Sequence, residues 1–208
     1  MTMIAIIDYG VGNLRSVAKA FEYIGYPAVV TAAPETVRQA DRVVLPGVGA
    51  FGKSMENLNA SGMVPVVREA IAAGKPFLGI CLGLQLLFEA SMESFAAAET
   101  VPGLGIFRGK VLRFPDASAL KVPQIGWNQI SKFPQDNPLF VGVPEESYVY
   151  FVHSYYVKPA EPGIVACATN YGIEYCSGIT AGNTFAVQFH PEKSSAVGLR
   201  ILRNFAML

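Results

Sequence analysis

The sequence predicts an α/β fold: a mostly parallel central sheet flanked by helices, with an additional antiparallel strand region. Two observations predict it. In the first half, short apolar runs alternate with stretches of helical spacing, the pattern of a parallel sheet covered on both faces. In the second half, β-rich runs follow one another with few helices between them, so several are antiparallel neighbours. A chain of 208 residues with 51% hydrophobic content suits one domain spanning residues 1–208.

The elements follow in order. Residues 3–8 form an apolar run that ends in a turn at 9–13. Residues 14–24 place apolar side chains at 14, 17, 18, 21 and 24, a helical spacing. Residues 27–31 and 43–45 read as strands, the second closed by Pro46 and Gly47. Residues 64–73 read as a helix with Gly74 just past its end. Residues 77–80 form a short buried strand, and residues 82–89 read as a helix. The Ala- and Glu-rich stretch 91–100 is a helix extension or a loop. Strands are expected at 110–114, 127–131, 147–157, 164–169, 173–179 and 184–189, and a closing helix at 194–208.

Lys plus Arg and Asp plus Glu both number 16, so the net charge is zero and lacks the basic footprint of a nucleic-acid binder. Only 15% of residues are charged, against an average of about 25%, which a large core or a partner-covered face accounts for. The three cysteines, Cys81, Cys167 and Cys176, form no CxxC pair, and with two histidines no metal site is expected. The odd count fits a reducing cytoplasm. The opening MTMIAIIDYG lacks the pattern of a secretory leader. No apolar run reaches the roughly 18 residues of a membrane helix. The expectation is a cytoplasmic protein with neither nucleic-acid nor membrane partners.

Gly79-Ile80-Cys81-Leu82-Gly83 lies between a strand pattern and a helix pattern. This is a nucleophile elbow with Cys in the central place. A sharp strand-to-helix turn strains the central residue, and side chains at the flanks would collide. The following helix points its N-terminus at the sulfur, where partial positive charge favours thiolate. Cys167 and Cys176 lack this setting and read as structural.

A cysteine nucleophile works with a base, and the chain has only His153 and His190. His190 ends a strand pattern, and Glu192 follows two positions later. In extended backbone these two point to the same side, so Glu192 can orient one imidazole nitrogen while the other faces the thiol. Pro191 restricts the backbone between them. His153 lies in an alternating strand run, where it either lines the site or is a satisfied strand histidine.

The order Cys81, His190, Glu192, with G-x-C-x-G-x-Q from Gly79 to Gln85 and QFHPEKS from Gln188 to Ser194, resembles the class I (triad) glutamine amidotransferases. The resemblance runs from the first strand to the last helix. DYGVGNL at 8–14, KVPQIGWN at 121–128 and YFVHSYY at 150–156 are similar to the glutaminase subunits of imidazole glycerol phosphate synthases. PGVG at 46–49 departs from the PGG of many class I relatives, and Gln124 stands where the family usually carries a histidine.

The resemblance implies a class I glutamine amidotransferase-like fold and hydrolysis of L-glutamine to glutamate and ammonia through Cys81, His190 and Glu192, without a cofactor. It implies that the oxyanion is held by the N–H of Leu82 and by that of Val48, after a reorientation that Gly47 and Gly49 permit. It assigns Gly49, Gln85, Ser154 and Tyr155 to the substrate. The implied partner is a cyclase subunit with a (β/α)8 barrel. In a heterodimer that subunit would use the ammonia to form imidazole glycerol phosphate and an aminoimidazole carboxamide ribotide. Asn13, Lys121, Gln124, Trp127 and Asn128 would face it, although Trp127 equally suits a core. Gly10 and Gly12 make no dinucleotide fingerprint, because Arg15 stands at the third glycine position. The competing readings are glutaminases serving anthranilate, pyridoxal phosphate or GMP synthesis, a free-standing hydrolase active without a partner, and a nucleotide-binding or purely regulatory α/β module.

Overall fold

The structure, a computed structural model, describes residues 2–93, 100–115, 120–132 and 136–208. Five strands form its parallel part: β1 (Ile4–Ile7), β2 (Ala28–Thr31), β3 (Arg42–Gly47), β4 (Phe77–Cys81) and β13 (Thr184–Val187). They lie side by side in the order β2-β1-β3-β4-β13. Alternate residues of these strands feed two separate cores, as the pleat requires.

Ile4, Ile6, Val44, Leu78, Ile80, Phe185 and Val187 pack on one face with α1 (Leu14–Tyr23) and α6 (Ser195–Ala206). Val17 and Phe21 of α1 meet Ile201 and Phe205 of α6 there, with the two phenyl rings 6.3 Å apart. Ala5, Ile7, Val43, Leu45, Phe77 and Ala186 face the other way. They pack under α2 (Pro34–Gln39), α3 (Phe51–Ala60), α4 (Met63–Ala72) and α5 (Leu82–Leu86). Covering a sheet on both faces explains why its strands read as continuous apolar runs.

The remaining strands are β5 (Phe88–Ser91), β6 (Val101–Pro102), β7 (Phe107–Arg113), β8 (Gln124–Lys132), β9 (Ser147–His153), β10 (Tyr155–Pro159), β11 (Val165–Asn170) and β12 (Glu174–Ala181). From β13 the sheet continues as β12-β10-β7-β5-β6. Every step of that extension is antiparallel except β7-β5. A branch leaves β12 through β11 and β8 to β9. The mixed sheet therefore has the parallel and antiparallel halves that the sequence predicts.

Several boundaries differ from the sequence expectation. The helix expected over 82–89 ends at Leu86, and Phe88 starts β5, because Phe88 pairs with Phe107 in the sheet. The run 147–157 is two strands broken at Ser154, whose carbonyl accepts from the N–H of Phe114. Helices α2 and α3 have no counterpart in the sequence reading. Of the stretch 91–100, residues 94–99 lie outside the described residues.

The turn before α6 is tightly fastened. A Cβ on Gly198 would lie 1.9 Å from the carbonyl oxygen of Pro191. Gly198→Ala is expected to push α6 away from that turn and cost about 3 kcal/mol or more, as overpacking does at a site that cannot give way. Urea denaturation of the variant against the parent measures it, and a loss below about 0.5 kcal/mol would show that the turn yields freely.

Candidate active site

Cys81 ends β4 with a left-handed backbone, φ +56° and ψ −111°, an unusual conformation for a side chain-bearing residue. Glycines on the surrounding elements allow it. A Cβ on Gly83 would lie 1.9 Å from the carbonyl oxygen of Leu45. One on Gly79 would lie 2.9 Å from both the Gly83 carbonyl oxygen and the Ala186 Cβ. Gly47, which pairs with Cys81 at the end of β3, is equally confined: a Cβ there would lie 2.9 Å from the Gly83 nitrogen, the Leu82 Cβ and the Tyr9 hydroxyl. The elbow thus needs a third glycine beyond the two in its motif. Helix α5 is a single short turn, so its help to the sulfur comes from its first free N–H groups rather than from a long summed dipole.

His190 follows β13. Its N–H donates to the Tyr150 carbonyl at 2.9 Å, and its own carbonyl accepts from the Ser194 hydroxyl at 2.6 Å. Glu192 reaches it through a tight 3-10 turn, Pro191–Lys193, rather than through continued extended backbone. The result is the pairing that the sequence suggests, by a different local geometry. Nδ1 of His190 is 2.8 Å from Oε1 of Glu192, and both side chains are buried.

Asn13 donates its amide N–H to the same carboxylate oxygen at 3.1 Å. Nε2 of His190 is buried and makes no well-aligned hydrogen bond among the described residues, yet the Cys81 thiol is close enough to act on it. Burial opposes charge on His190. The interactions with Cys81 and Glu192 outweigh that penalty and push the imidazole up to about 10. The site therefore favours an imidazolium beside the sulfur.

These groups open onto a pocket of about 280 Å³, a size for a small ligand. Val48, Gly49, Leu82, Gln85, Ser154 and Tyr155, all singled out in the sequence, line it together with Cys81 and His190. Val48 is 38% exposed and Gly49 has φ +89°, so this loop meets the pocket with little packed on it.

Two further groups escaped the sequence reading. Glu93 lines the pocket, accepts from the Phe51 N–H at 2.9 Å, and has its carboxyl pushed up by burial, partly offset by that N–H. Gln188 lies against the sulfur, with Nε2 3.7 Å from Sγ of Cys81. Its only signal in the sequence was its place at the head of the QFHPEKS motif, which gave it no role.

The residues expected to face a partner fall in different settings. Trp127 is 51% exposed, its ring edge-on to Tyr150, and Lys121 is exposed as well. Asn128 donates to the Asn170 carbonyl at 2.9 Å. Asn13 points inward to Glu192. Gln124 is only 2% exposed and accepts from the Tyr175 hydroxyl at 3.0 Å, so its side chain is turned away from the surface that the sequence reading gave it. The same hydroxyl lies 3.2 Å from Nε2 of His153. His153 is both of the things the sequence left open: it lines the pocket and is a satisfied strand histidine, with Nδ1 2.8 Å from the Tyr155 carbonyl.

Comparison with known proteins gives this geometry its class. The family model for glutamine amidotransferase class-I matches residues 5–208, and the chain belongs to that family. Within it, the chain is 52% identical to imidazole glycerol phosphate synthase subunit HisH of Geobacter metallireducens, over 100% of this chain and 99% of that protein. The protein of the same name from Thermosynechococcus vestitus is 50% identical over 99% of this chain and 96% of its own length. In fold, the chain is similar to a solved structure of PurLQS from Thermotoga maritima, with a TM-score of 0.76 at 16% identity over 98% of this chain and 97% of the other. A solved glutamine amidotransferase gives a TM-score of 0.73 at 18% identity over 98% of this chain and 99% of the other.

Burial, reinforced by the charge on His190 and opposed by the bond to the Tyr155 carbonyl, pushes His153 down from 6.5 to about 4. The folded protein thus holds it neutral where the unfolded chain would protonate it. Its contribution to stability is complete above the unfolded value of about 6.5 and is lost as pH falls toward 4, to the extent of about 3 kcal/mol. Urea denaturation across this range should show a shallower acid loss in His153→Gln than in the parent. Parallel pH profiles would refute the assignment.

Proposed function

We propose that this chain is the glutaminase subunit of an imidazole glycerol phosphate synthase, working as one domain over residues 1–208 in the cytoplasm. It hydrolyses L-glutamine and supplies ammonia for histidine biosynthesis. The observation that carries the reading is a cysteine on a strained elbow, beside a buried His190–Glu192 pair, at a pocket of about 280 Å³.

The chemistry follows from the charges. The Cys81 thiolate attacks the carboxamide carbon of glutamine. The oxyanion takes the Leu82 N–H and, once its peptide turns, the Val48 N–H. The tetrahedral intermediate collapses as His190 gives its proton to the leaving ammonia. Water then attacks the thioester with neutral His190 as base, releasing glutamate and the thiolate. Glu192, itself held by Asn13, keeps the imidazole oriented and stabilises its charged form. Gly49, Gln85, Ser154 and Tyr155 hold the amino-acid end of the substrate. The scheme uses no metal or cofactor.

The partner in this reading is a cyclase subunit with a (β/α)8 barrel, forming a heterodimer. What supports a protein partner is an apolar outer face on the β8-β9 ribbon. Ile125, Trp127 and Tyr148 are all more than half exposed there. Val152, paired with Ile125, and Pro123 also line the pocket, so the ribbon adjoins the pocket mouth. Contact on this ribbon offers a route to the Val48 peptide. An oxyanion donor is worth about 3–4 kcal/mol, so gating it would change turnover by about 100-fold or more.

Glutamate release from glutamine tests the proposal. The pure chain is expected to be weakly active, to rise about 100-fold with the cyclase subunit and its nucleotide ligand, and to lose activity entirely as Cys81→Ala. Full activity alone, unchanged by the cyclase, would discard the assigned partner. Glu192→Gln should lower kcat by about 100-fold or more while leaving the fold intact by circular dichroism, since the orienting charge is gone. Near-normal turnover would remove Glu192 from the mechanism.

A further inference from the structure

Gln188 is 0% exposed, and its backbone N–H is fixed to the Ser177 carbonyl of β12 at 2.9 Å. Its side chain bridges two working parts of the pocket. Nε2 lies 3.7 Å from the Cys81 sulfur, and Oε1 accepts from Nε2 of Gln85 at 3.0 Å. That same Gln85 nitrogen also donates to the Tyr155 carbonyl at 3.0 Å.

The donor count determines both amide orientations. A reversed Gln85 would set its oxygen against two acceptors, the Tyr155 carbonyl and Oε1 of Gln188. A reversed Gln188 would set nitrogen against nitrogen at Gln85. With both amides in the satisfied arrangement, Gln85 has both N–H groups committed to protein and only its carbonyl oxygen free to turn toward the pocket. Gln188 likewise presents an N–H, not an oxygen, to the sulfur. A donor at that place favours the charged form of the sulfur over the neutral thiol, and a buried donor left without it would be costly.

We propose that Gln188 is a positioning residue that couples the substrate-binding side chain to the nucleophile: it donates to the Cys81 thiolate and, through Oε1, fixes the Gln85 amide with its acceptor oxygen toward the substrate's ammonium group. The inference rests on the glutamine-hydrolysing reading for its substrate half, but not for its sulfur half. Occupancy of the pocket by an amino acid with a free α-amine would then be sensed at the sulfur through two side chains rather than through the backbone.

The test replaces the amide by an unbranched side chain of similar size, Gln188→Met, with Gln188→Leu as a second variant should the first fail to fold. Circular dichroism and a thermal melt check that each is native. The first readout is alkylation of Cys81 by iodoacetamide as a function of pH, with Cys81→Ala subtracting any reaction elsewhere. The midpoint should move upward by about one pH unit when the N–H donor is lost, as removing a hydrogen bond to a charged group does. The second readout is glutaminase kinetics with the cyclase subunit present, where kcat should fall and KM should rise, each by about five-fold or more.

A folded variant whose alkylation midpoint and KM both match the parent, with only kcat reduced, overturns the proposal, because that is how a lower fraction of active protein behaves. The alkylation profile needs no glutamine. An unshifted profile therefore defeats the sulfur half whether or not the parent hydrolyses glutamine, whereas a parent inactive toward glutamine with its cyclase defeats the functional reading alone.

Discussion

The left-handed backbone of Cys81 sits where β3, β4 and α5 close on one another without side chains between them. Gly47 at the end of β3, Gly79 in β4 and Gly83 in α5 provide that contact, and at Gly83 a single added carbon would overlap the Leu45 carbonyl. The strain of the turn is held by the sheet, since β3 and β13 flank β4 in parallel register up to its end. The same convergence fixes the place of the site. It lies beyond the carboxyl ends of adjacent parallel strands, where the loop after β3 and the turn after β13 can both reach the sulfur.

Burial then sorts the two histidines into opposite states. Both lie in the low-dielectric interior, which disfavours charge on either. His190 overcomes the penalty because a carboxylate on one side and the Cys81 sulfur on the other stabilise its cation. His153 has a backbone carbonyl and a tyrosine hydroxyl as partners, and it feels the charge of His190, so it stays neutral. A buried ion pair costs less when further hydrogen bonds reach its carboxylate. Asn13 does part of this for Glu192 by donating to the oxygen that His190 uses.

Much of the fold was legible because a pleated strand and an amphipathic helix leave their periods in the chain. The strands of the parallel half, α1, α4 and α6 were found within a few residues of their places. The six-residue α2 carries too few turns for a period to register. Helix α3 buries Phe51, Ser54, Met55 and Leu58, a helical spacing in which a serine breaks the apolar signal. The helix expected over 82–89 was cut short by tertiary pairing: Phe88 belongs to β5, which pairs with β7, and local preference could not reveal the partner nineteen positions on.

The sequence by itself determined which residues carry the proposed chemistry: a cysteine between glycines at a strand-to-helix turn, and a histidine with a carboxylate two positions away. Those signals are local, because the backbone strain and the orienting pair each lie within a few residues. Only the tertiary structure decided which polar side chains complete the site. Asn13 meets Glu192 across 179 positions and Gln188 meets Cys81 across 107, while Gln124 turns inward to Tyr175. Such contacts leave no period in the chain, and a motif that contains one of these residues does not name the distant partner it meets. They arise when packing of the two apolar cores brings distant segments together and most buried polar groups there find a partner.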